Sequence, residues 1–280
     1  MPPDRLGASD VRRLLDAAGV RPSRHRGQNF LVDPNVAERI VTLAEAGPAD
    51  RILEVGVGVG SLTAALLATG ASVVGVEIDE NLARVAEDEL VTSRLELVVG
   101  DASRTDWTGE ITEGVSKMVS NLPYAVGTRV LVDVVEQVPD IERFVVMVQR
   151  EVGERLCADP GDAAYGAVSL RVAYFCEARL AGRVGPTVFY PRPEVDSVLV
   201  DLRRIEAPVA VRADVLFRVV DAGFAQRRKT LRRALSAVWP VSEVDAALSS
   251  TGIEASRRAE TLDLGEFAAV ADALHAEYAS

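Results

Sequence analysis

The feature that most narrows the fold is an alternation running from Arg51 to Val148. Short apolar runs at 51–55, 72–76, 95–99, 115–120 and 143–148 are interspersed with helix-patterned segments at 61–69, 81–90 and 128–138. Apolar runs of strand length, separated by crossover helices, predict a mostly parallel sheet covered on both faces. Upstream, 9–18 and 33–46 read as helices, with Ser9 and Asp33 as N-caps and Pro34 in a first turn. Downstream, Ser169–Leu180 and Asp196–Arg203 read as strands with no clear helix between them, which predicts an antiparallel hairpin. After residue 206 only helical periodicity remains, at 212–223, 227–238, 241–250 and 264–278. With Ala207-Pro208 as the boundary, the sequence predicts an α/β domain over 1–206 and a small helical domain over 207–280.

Composition excludes several classes. No apolar run approaches the ~20 residues of a membrane span. The polar N-terminus resembles neither a secretory signal nor a transit peptide. Cys157 and Cys176 lack metal-ligand spacing, and His25 and His275 lie far apart. The expectations are reduced thiols, no metal site, no histidine catalysis and a cytoplasmic protein without a membrane partner. The net charge of −11 repels a polyanion on average. Its distribution is uneven, however. Residues 1–26 carry six Arg against three Asp, and 218–233 carry Arg218, Arg227, Arg228, Lys229, Arg232 and Arg233 against one Asp. Arginine forks suit phosphates and base edges, so two basic clusters on an acidic body suggest a localised nucleic-acid footprint.

Ligands of open α/β sheets bind at the carboxyl ends of the strands. Four strand ends here carry candidate residues. Glu54-Val55-Gly56-Val57-Gly58-Val59-Gly60 closes the first strand, and its glycines allow close approach of backbone to ligand. The dinucleotide fingerprint needs glycine at position 61, where Ser61 stands. The G-x-G-x-G spacing resembles instead the first motif of class I methyltransferases. Glu77, 21 residues after Gly56, closes the second strand, where an acid accepts hydrogen bonds from ribose hydroxyls. Nicotinamide enzymes use the same device, so this residue indicates a nucleoside without saying which. Gly100-Asp101-Ala102 closes the third strand with a carboxylate able to accept from an adenine amine.

Asn121-Leu122-Pro123-Tyr124 closes the fourth strand. An adenine amine is a poor nucleophile because its lone pair is delocalised into the ring. Acceptors on its two N–H bonds favour a more tetrahedral nitrogen with a freer lone pair. The Asn121 amide oxygen and the Leu122 carbonyl can supply them. Pro123 holds Leu122 extended and sets where that carbonyl points. Tyr124 offers a flat face for an extruded base, worth ~1–3 kcal/mol. Transfer to such an amine is largely a matter of positioning and needs no strong base.

Further blocks complete the pattern: Gly27-Gln28-Asn29-Phe30-Leu31, Ser61-Leu62-Thr63, Val76-Glu77-Ile78-Asp79, Gln149-Arg150-Glu151-Val152, Val188-Phe189-Tyr190-Pro191-Arg192-Pro193, Val195-Asp196-Ser197, and Phe224-Ala225-Gln226-Arg227-Arg228-Lys229-Thr230-Leu231. In this order they resemble the ribosomal-RNA adenine dimethyltransferase family. The Val188–Ser197 and Phe224–Leu231 blocks resemble its small-subunit branch. The resemblance implies a Rossmann-like class I methyltransferase sheet with a small all-helical C-terminal domain. It implies S-adenosyl-L-methionine as cofactor, and dimethylation of two adjacent adenosines in a hairpin loop near the 3′ end of small-subunit rRNA during ribosome biogenesis. By the same resemblance, Asn29, Leu31, Gly56, Gly58, Glu77, Asp101 and Asn121 hold the cofactor. Asn121, Leu122, Tyr124 and Phe189 serve the target base. Arg227, Arg228, Lys229, Arg232 and Arg233 grip RNA phosphates. The implied partner is a small-subunit pre-particle, and a monomer is expected.

The sequence departs from the family at Val57, where proline is usual, at Ala125-Val126-Gly127-Thr128, where a more polar run is common, and at Glu194, where a basic residue is frequent. The alternatives are the large-subunit branch that confers macrolide resistance, a DNA adenine methyltransferase, and a non-catalytic ribosome-assembly or transcription factor on the same fold. The last would tolerate a damaged cofactor loop.

Overall fold

The computed structural model describes residues 5–22, 28–226 and 228–276. The chain forms two units. One comprises residues 1–153 and 179–204, the other residues 154–178 and 205–280. This differs from a single cut at residue 206, because a segment preceding the last two strands of the sheet belongs to the second unit. The reason is packing: Tyr165, Leu170 and Tyr174 share one apolar core with Leu216, Phe217 and Val220.

The first unit is built on strands β2 (Arg51–Val55), β3 (Ser72–Glu77), β4 (Leu95–Val99), β5 (Lys117–Asn121), β6 (Arg143–Gln149), β7 (Cys176–Val184) and β9 (Ser197–Arg204). They form one sheet in the order β4-β3-β2-β5-β6-β9-β7. The strands β4, β3, β2, β5 and β6 are mutually parallel, and β9 runs antiparallel to β6. The pairs Val55↔Val76, Glu77↔Val99 and Asn121↔Met147 bring the carboxyl ends into line. A separate two-stranded ladder joins β1 (Phe30–Leu31) to β8 (Phe189–Tyr190), pairing Leu31 with Phe189 and Phe30 with Tyr190.

Five helices flank the sheet: α1 (Ala8–Ala17), α2 (Pro34–Ala44), α3 (Ser61–Ala68), α4 (Glu80–Glu89) and α5 (Gly127–Gln137). Asp33 caps α2 by accepting the Asn35 N–H at 2.9 Å, and Asp79 caps α4 by accepting the Asn81 N–H at 3.0 Å. The expected cap at Ser9 is displaced. Helix α1 starts one residue earlier, and Asp10 reaches back to accept the Gly7 N–H. Helix α3 is buried from Ser61 to Leu67, as suits a helix whose only polar side chains are Ser61 and Thr63.

The expected strand over Ser169–Leu180 divides in two. Ala167–Phe175 is helix α7, and the strand begins at Cys176. Leu170, Val172 and Tyr174 recur at alternate positions and mimic a strand. Ser169 nonetheless accepts the Gly166 N–H at 3.1 Å at the helix start, and the helix packs into the second unit's core. Helix α6 (Arg150–Leu156) is also additional to the sequence expectation. The second unit continues with α8 (Ala213–Phe224), α9 (Leu231–Leu235), α10 (Val241–Thr251) and α11 (Leu264–Ala276). The helix expected over 227–238 shrinks to α9, because Arg228 lies in a turn and Lys229 in a bend, and the Leu231 N–H donates to the Arg257 carbonyl.

A buried ion cluster fixes the antiparallel strand. The Arg143 guanidinium donates to both oxygens of Asp201, at 3.0 and 3.1 Å, and Arg179 donates to Asp201 Oδ2 at 2.6 Å. Burial alone would raise the Asp201 carboxyl, but these guanidinium hydrogen bonds hold it below the ordinary carboxylate range. Asp201→Ala leaves the buried Arg143 with the exposed Glu45, 2.8 Å from its Nη1, in place of a buried partner, so stability should fall by about 3 kcal/mol. The urea midpoint measures this, and a loss below about 1 kcal/mol would contradict the role given to the cluster.

Candidate active site

At the carboxyl ends of β2, β3, β4 and β5 lies a cavity of about 510 Å³. The glycine turn after β2 forms its floor. Gly56 has φ 82°, and a Cβ there would stand 3.1 Å from the Pro123 ring. Only glycine therefore combines this backbone with such a close approach of the two loops. The turn is tied to β3 twice. The Gly56 N–H donates to the Val76 carbonyl, and the Gly58 N–H donates to Glu77 Oε2, both at 2.8 Å.

Glu77 is buried, and its other oxygen accepts the Asp79 N–H at 3.0 Å. Burial raises its carboxyl, while these backbone donors work in the opposite direction. Asp101 is tied by the Ser103 N–H and hydroxyl, at 2.9 and 2.7 Å, and these bonds hold its carboxyl below the usual range. Asn121 donates its amide nitrogen to the Asn29 carbonyl at 3.3 Å. That bond orients the side-chain amide and leaves its oxygen to accept. The Leu122 N–H donates to the Met147 carbonyl, and among the described residues no backbone N–H is bonded to the Leu122 carbonyl.

The cavity brings together Asn29, Leu31, Gly56, Gly58, Glu77, Asp101, Asn121, Leu122 and Tyr124. It does not bring in Phe189, which is 4% exposed, packs in the hydrophobic core and is not a lining residue. In the second unit, Arg228, Lys229 and Arg233 are exposed. Arg232 is not free, because Asp245 accepts from both its Nε and Nη2. Arg227 and Gly27 lie outside the described residues.

Glu54 is the residue that sequence reasoning passed over. It lines the cavity at 1% exposure, and the Thr63 hydroxyl donates to its Oε2 at 2.7 Å. Its signal was an acid in an otherwise apolar strand, Ile52-Leu53-Glu54-Val55. Burial, with the Glu77 charge adding to it, pushes this carboxyl up to about 8. Four acids line the cavity, namely Glu77, Asp79, Asp101 and the neutral Glu54, and among the described residues no Lys, Arg or His does. Such a site favours a cationic ligand. S-adenosyl-L-methionine fits it, with a positive sulfonium, a ribose for Glu77 and an adenine amine for Asp101.

The sequence profile described as ribosomal RNA adenine dimethylase matches residues 21–276. The chain belongs to the ribosomal RNA adenine dimethylase family. Its curated relatives include ribosomal RNA small subunit methyltransferase A of Thermobifida fusca (strain YX), 46% identical with 95% of each chain covered. Among solved structures, a dimethyladenosine transferase from Plasmodium falciparum aligns with a TM-score of 0.73 at 24% identity, covering 86% of this chain and 95% of that one. The 23S rRNA methyltransferase ErmE aligns with a TM-score of 0.65 at 25% identity, covering 88% and 100%. These likenesses agree with the class I methyltransferase sheet expected from the sequence. Among the described residues, no helix is long and apolar enough to cross a membrane.

The buried acid has a pH signature. The folded chain keeps the Glu54 proton to about pH 8, whereas an unperturbed carboxyl loses it near 4.5. The folded state therefore binds more protons across that window, and this contribution to stability is lost as pH rises through it. Glu54→Gln should flatten the decline of the denaturation midpoint between those pH values. An unchanged slope would contradict a protonated Glu54.

Proposed function

We propose that this protein transfers methyl groups from S-adenosyl-L-methionine to the N6 atoms of two adjacent adenosines in a hairpin loop near the 3′ end of small-subunit rRNA. The observation that carries this reading is the convergence of the glycine turn, Glu77, Asp101 and the Asn121–Tyr124 segment on one acidic cavity. Likeness to a small-subunit methyltransferase over nearly the whole chain supports the choice of RNA.

The cofactor supplies a methyl group made electrophilic by its positive sulfur. The chain's own groups do the rest. Gly56 and Gly58 let the backbone pass close beneath the cofactor, Glu77 accepts from its ribose and Asp101 from its adenine. Asn29 and Leu31 close the site from the N-terminal segment. The Asn121 amide oxygen and the Leu122 carbonyl accept the two N–H bonds of the target amine, and Tyr124 stacks on the base. The methylated amine is acidic enough to release its proton to water, so no strong base is required beside Asn121. Phe189 acts at one remove, supporting Leu31 through the β1–β8 ladder.

The exposed Arg228, Lys229 and Arg233, with Arg227, contact RNA phosphates, while Arg232 contributes only if RNA displaces Asp245. On a chain of net charge −11, RNA binding confined to such patches is strongly salt-dependent. The substrate is a pre-subunit particle, and the protein acts as a cytoplasmic monomer.

The test is transfer of labelled methyl to unmethylated small and large subunits, with mass spectrometry of the digested RNA. Dimethyladenosine in a 3′-terminal small-subunit fragment is the expected result. Label only in large-subunit RNA would place the chain in the resistance branch. Label in neither, with cofactor bound, would favour a non-catalytic assembly factor.

A further inference from the structure

The block Val195-Asp196-Ser197 marks the sequence but has no part in the chemistry described so far. The structure places its last residue at a strategic point. Ser197 opens β9, is fully buried and pairs in register with Gln149 at the end of β6. The preceding Asp196 carbonyl accepts the Arg150 N–H at 3.0 Å, which pins this end of β9 to the carboxyl end of β6. The Ser197 Oγ lies 3.0 Å from the Tyr124 phenol oxygen, and either hydroxyl can donate.

Tyr124 belongs to the loop after β5, and it lines the cavity. A phenol ring turns about two side-chain torsions; a bond at its tip anchors the oxygen and so fixes the first, and it biases the second because a phenol O–H prefers to lie in the plane of its ring. The ring is thus held at its root by the loop and at its tip by the sheet. Burial raises the phenol's pKa, partly offset by the bond to Ser197, so the hydroxyl stays protonated and can take part in that bond across the physiological range. A flat stacking surface is most effective when its plane is fixed before the base arrives, because no ordering cost then falls on binding.

We propose that Ser197 is a positioning residue for the target base, its hydroxyl holding the Tyr124 ring in the orientation on which the adenine stacks. This rests on the reading of Tyr124 as the stacking face. It also gives a reason for β9 to run antiparallel at this edge. That direction delivers a residue far along the chain to the carboxyl end of the sheet, beside a loop that left it seventy-three positions earlier.

Three variants test the tie. Ser197→Ala removes it from the sheet side, Tyr124→Phe removes it from the cavity side, and Ser197→Thr retains it. Ser197→Ala and Tyr124→Phe should each lower kcat/KM for rRNA about tenfold, the scale of one lost hydrogen bond. Cofactor affinity by calorimetry should be unchanged, and Ser197→Thr should restore turnover. The double variant should lose no more than either single variant, because both remove the same bond. An RNA hairpin carrying 2-aminopurine at the target position should be quenched less on binding to Ser197→Ala than to the wild type. Full turnover in both single variants, or additive losses in the double variant, would overturn the proposal. Should Ser197→Ala fail to fold, Tyr124→Phe and its quenching decide alone. Tyr124→Ala separates the two levels. If it is inactive while Ser197→Ala and Tyr124→Phe are fully active, only the positioning role fails. If it is fully active, the stacking role fails and the positioning role with it.

Discussion

The site depends on one hydrogen bond between two strand ends, in which the Gly58 N–H donates to the buried Glu77 carboxylate at 2.8 Å. It holds the turn after β2 against the end of β3 and gives a buried charge one of its partners. The parallel register then does the remaining assembly. Because β2, β3 and β5 end in line, a turn, an acid and an amide far apart in the chain meet over one cavity. The close approach of Gly56 to Pro123 completes the arrangement, since any side chain at Gly56 would push the floor of the site away from the target loop.

Charge is partitioned accordingly. Among the described residues the charged groups lining the cavity are all acidic, which suits a cationic cofactor and disfavours free anions. Much of the arginine elsewhere is already committed. Arg143 and Arg179 serve Asp201, Arg171 serves Asp221, and Arg232 serves Asp245. Among the described residues of the second unit, the exposed Arg228, Lys229 and Arg233 stand between α8 and α10. Recognition of the RNA must then lean on the shape of the target and on stacking as much as on phosphate contacts.

Much of this was legible in the sequence. The strand 51–55 begins and ends where its apolar run does, because a buried parallel strand leaves little freedom in its composition. Gly56, Glu77, Asp101 and Asn121 were legible as cavity residues because each lies at the end of a sheet strand, where topology makes position meaningful. What escaped was set by tertiary packing. Helix α7 carries an alternating apolar pattern, but the core of the second unit claims it. Phe189 sits in a motif beside the target block, yet it packs inward against the first unit's core. The pairing of Arg232 with Asp245 spans two helices and leaves no local trace. Glu54 and Ser197 were visible as residues, but their environments were not: a carboxyl becomes a neutral acid, and a serine a tether, only through burial and a neighbour from another strand.

The central claim is that two fixed acceptors at the end of β5 activate an adenine amine over a bound cofactor. The most direct measurement pairs methyl transfer with cofactor calorimetry on Asn121→Ala. The account predicts that transfer to small-subunit RNA falls to background while the cofactor still binds, because Glu77, Asp101 and the glycine turn are intact. Turnover near the wild-type rate in this variant would contradict it.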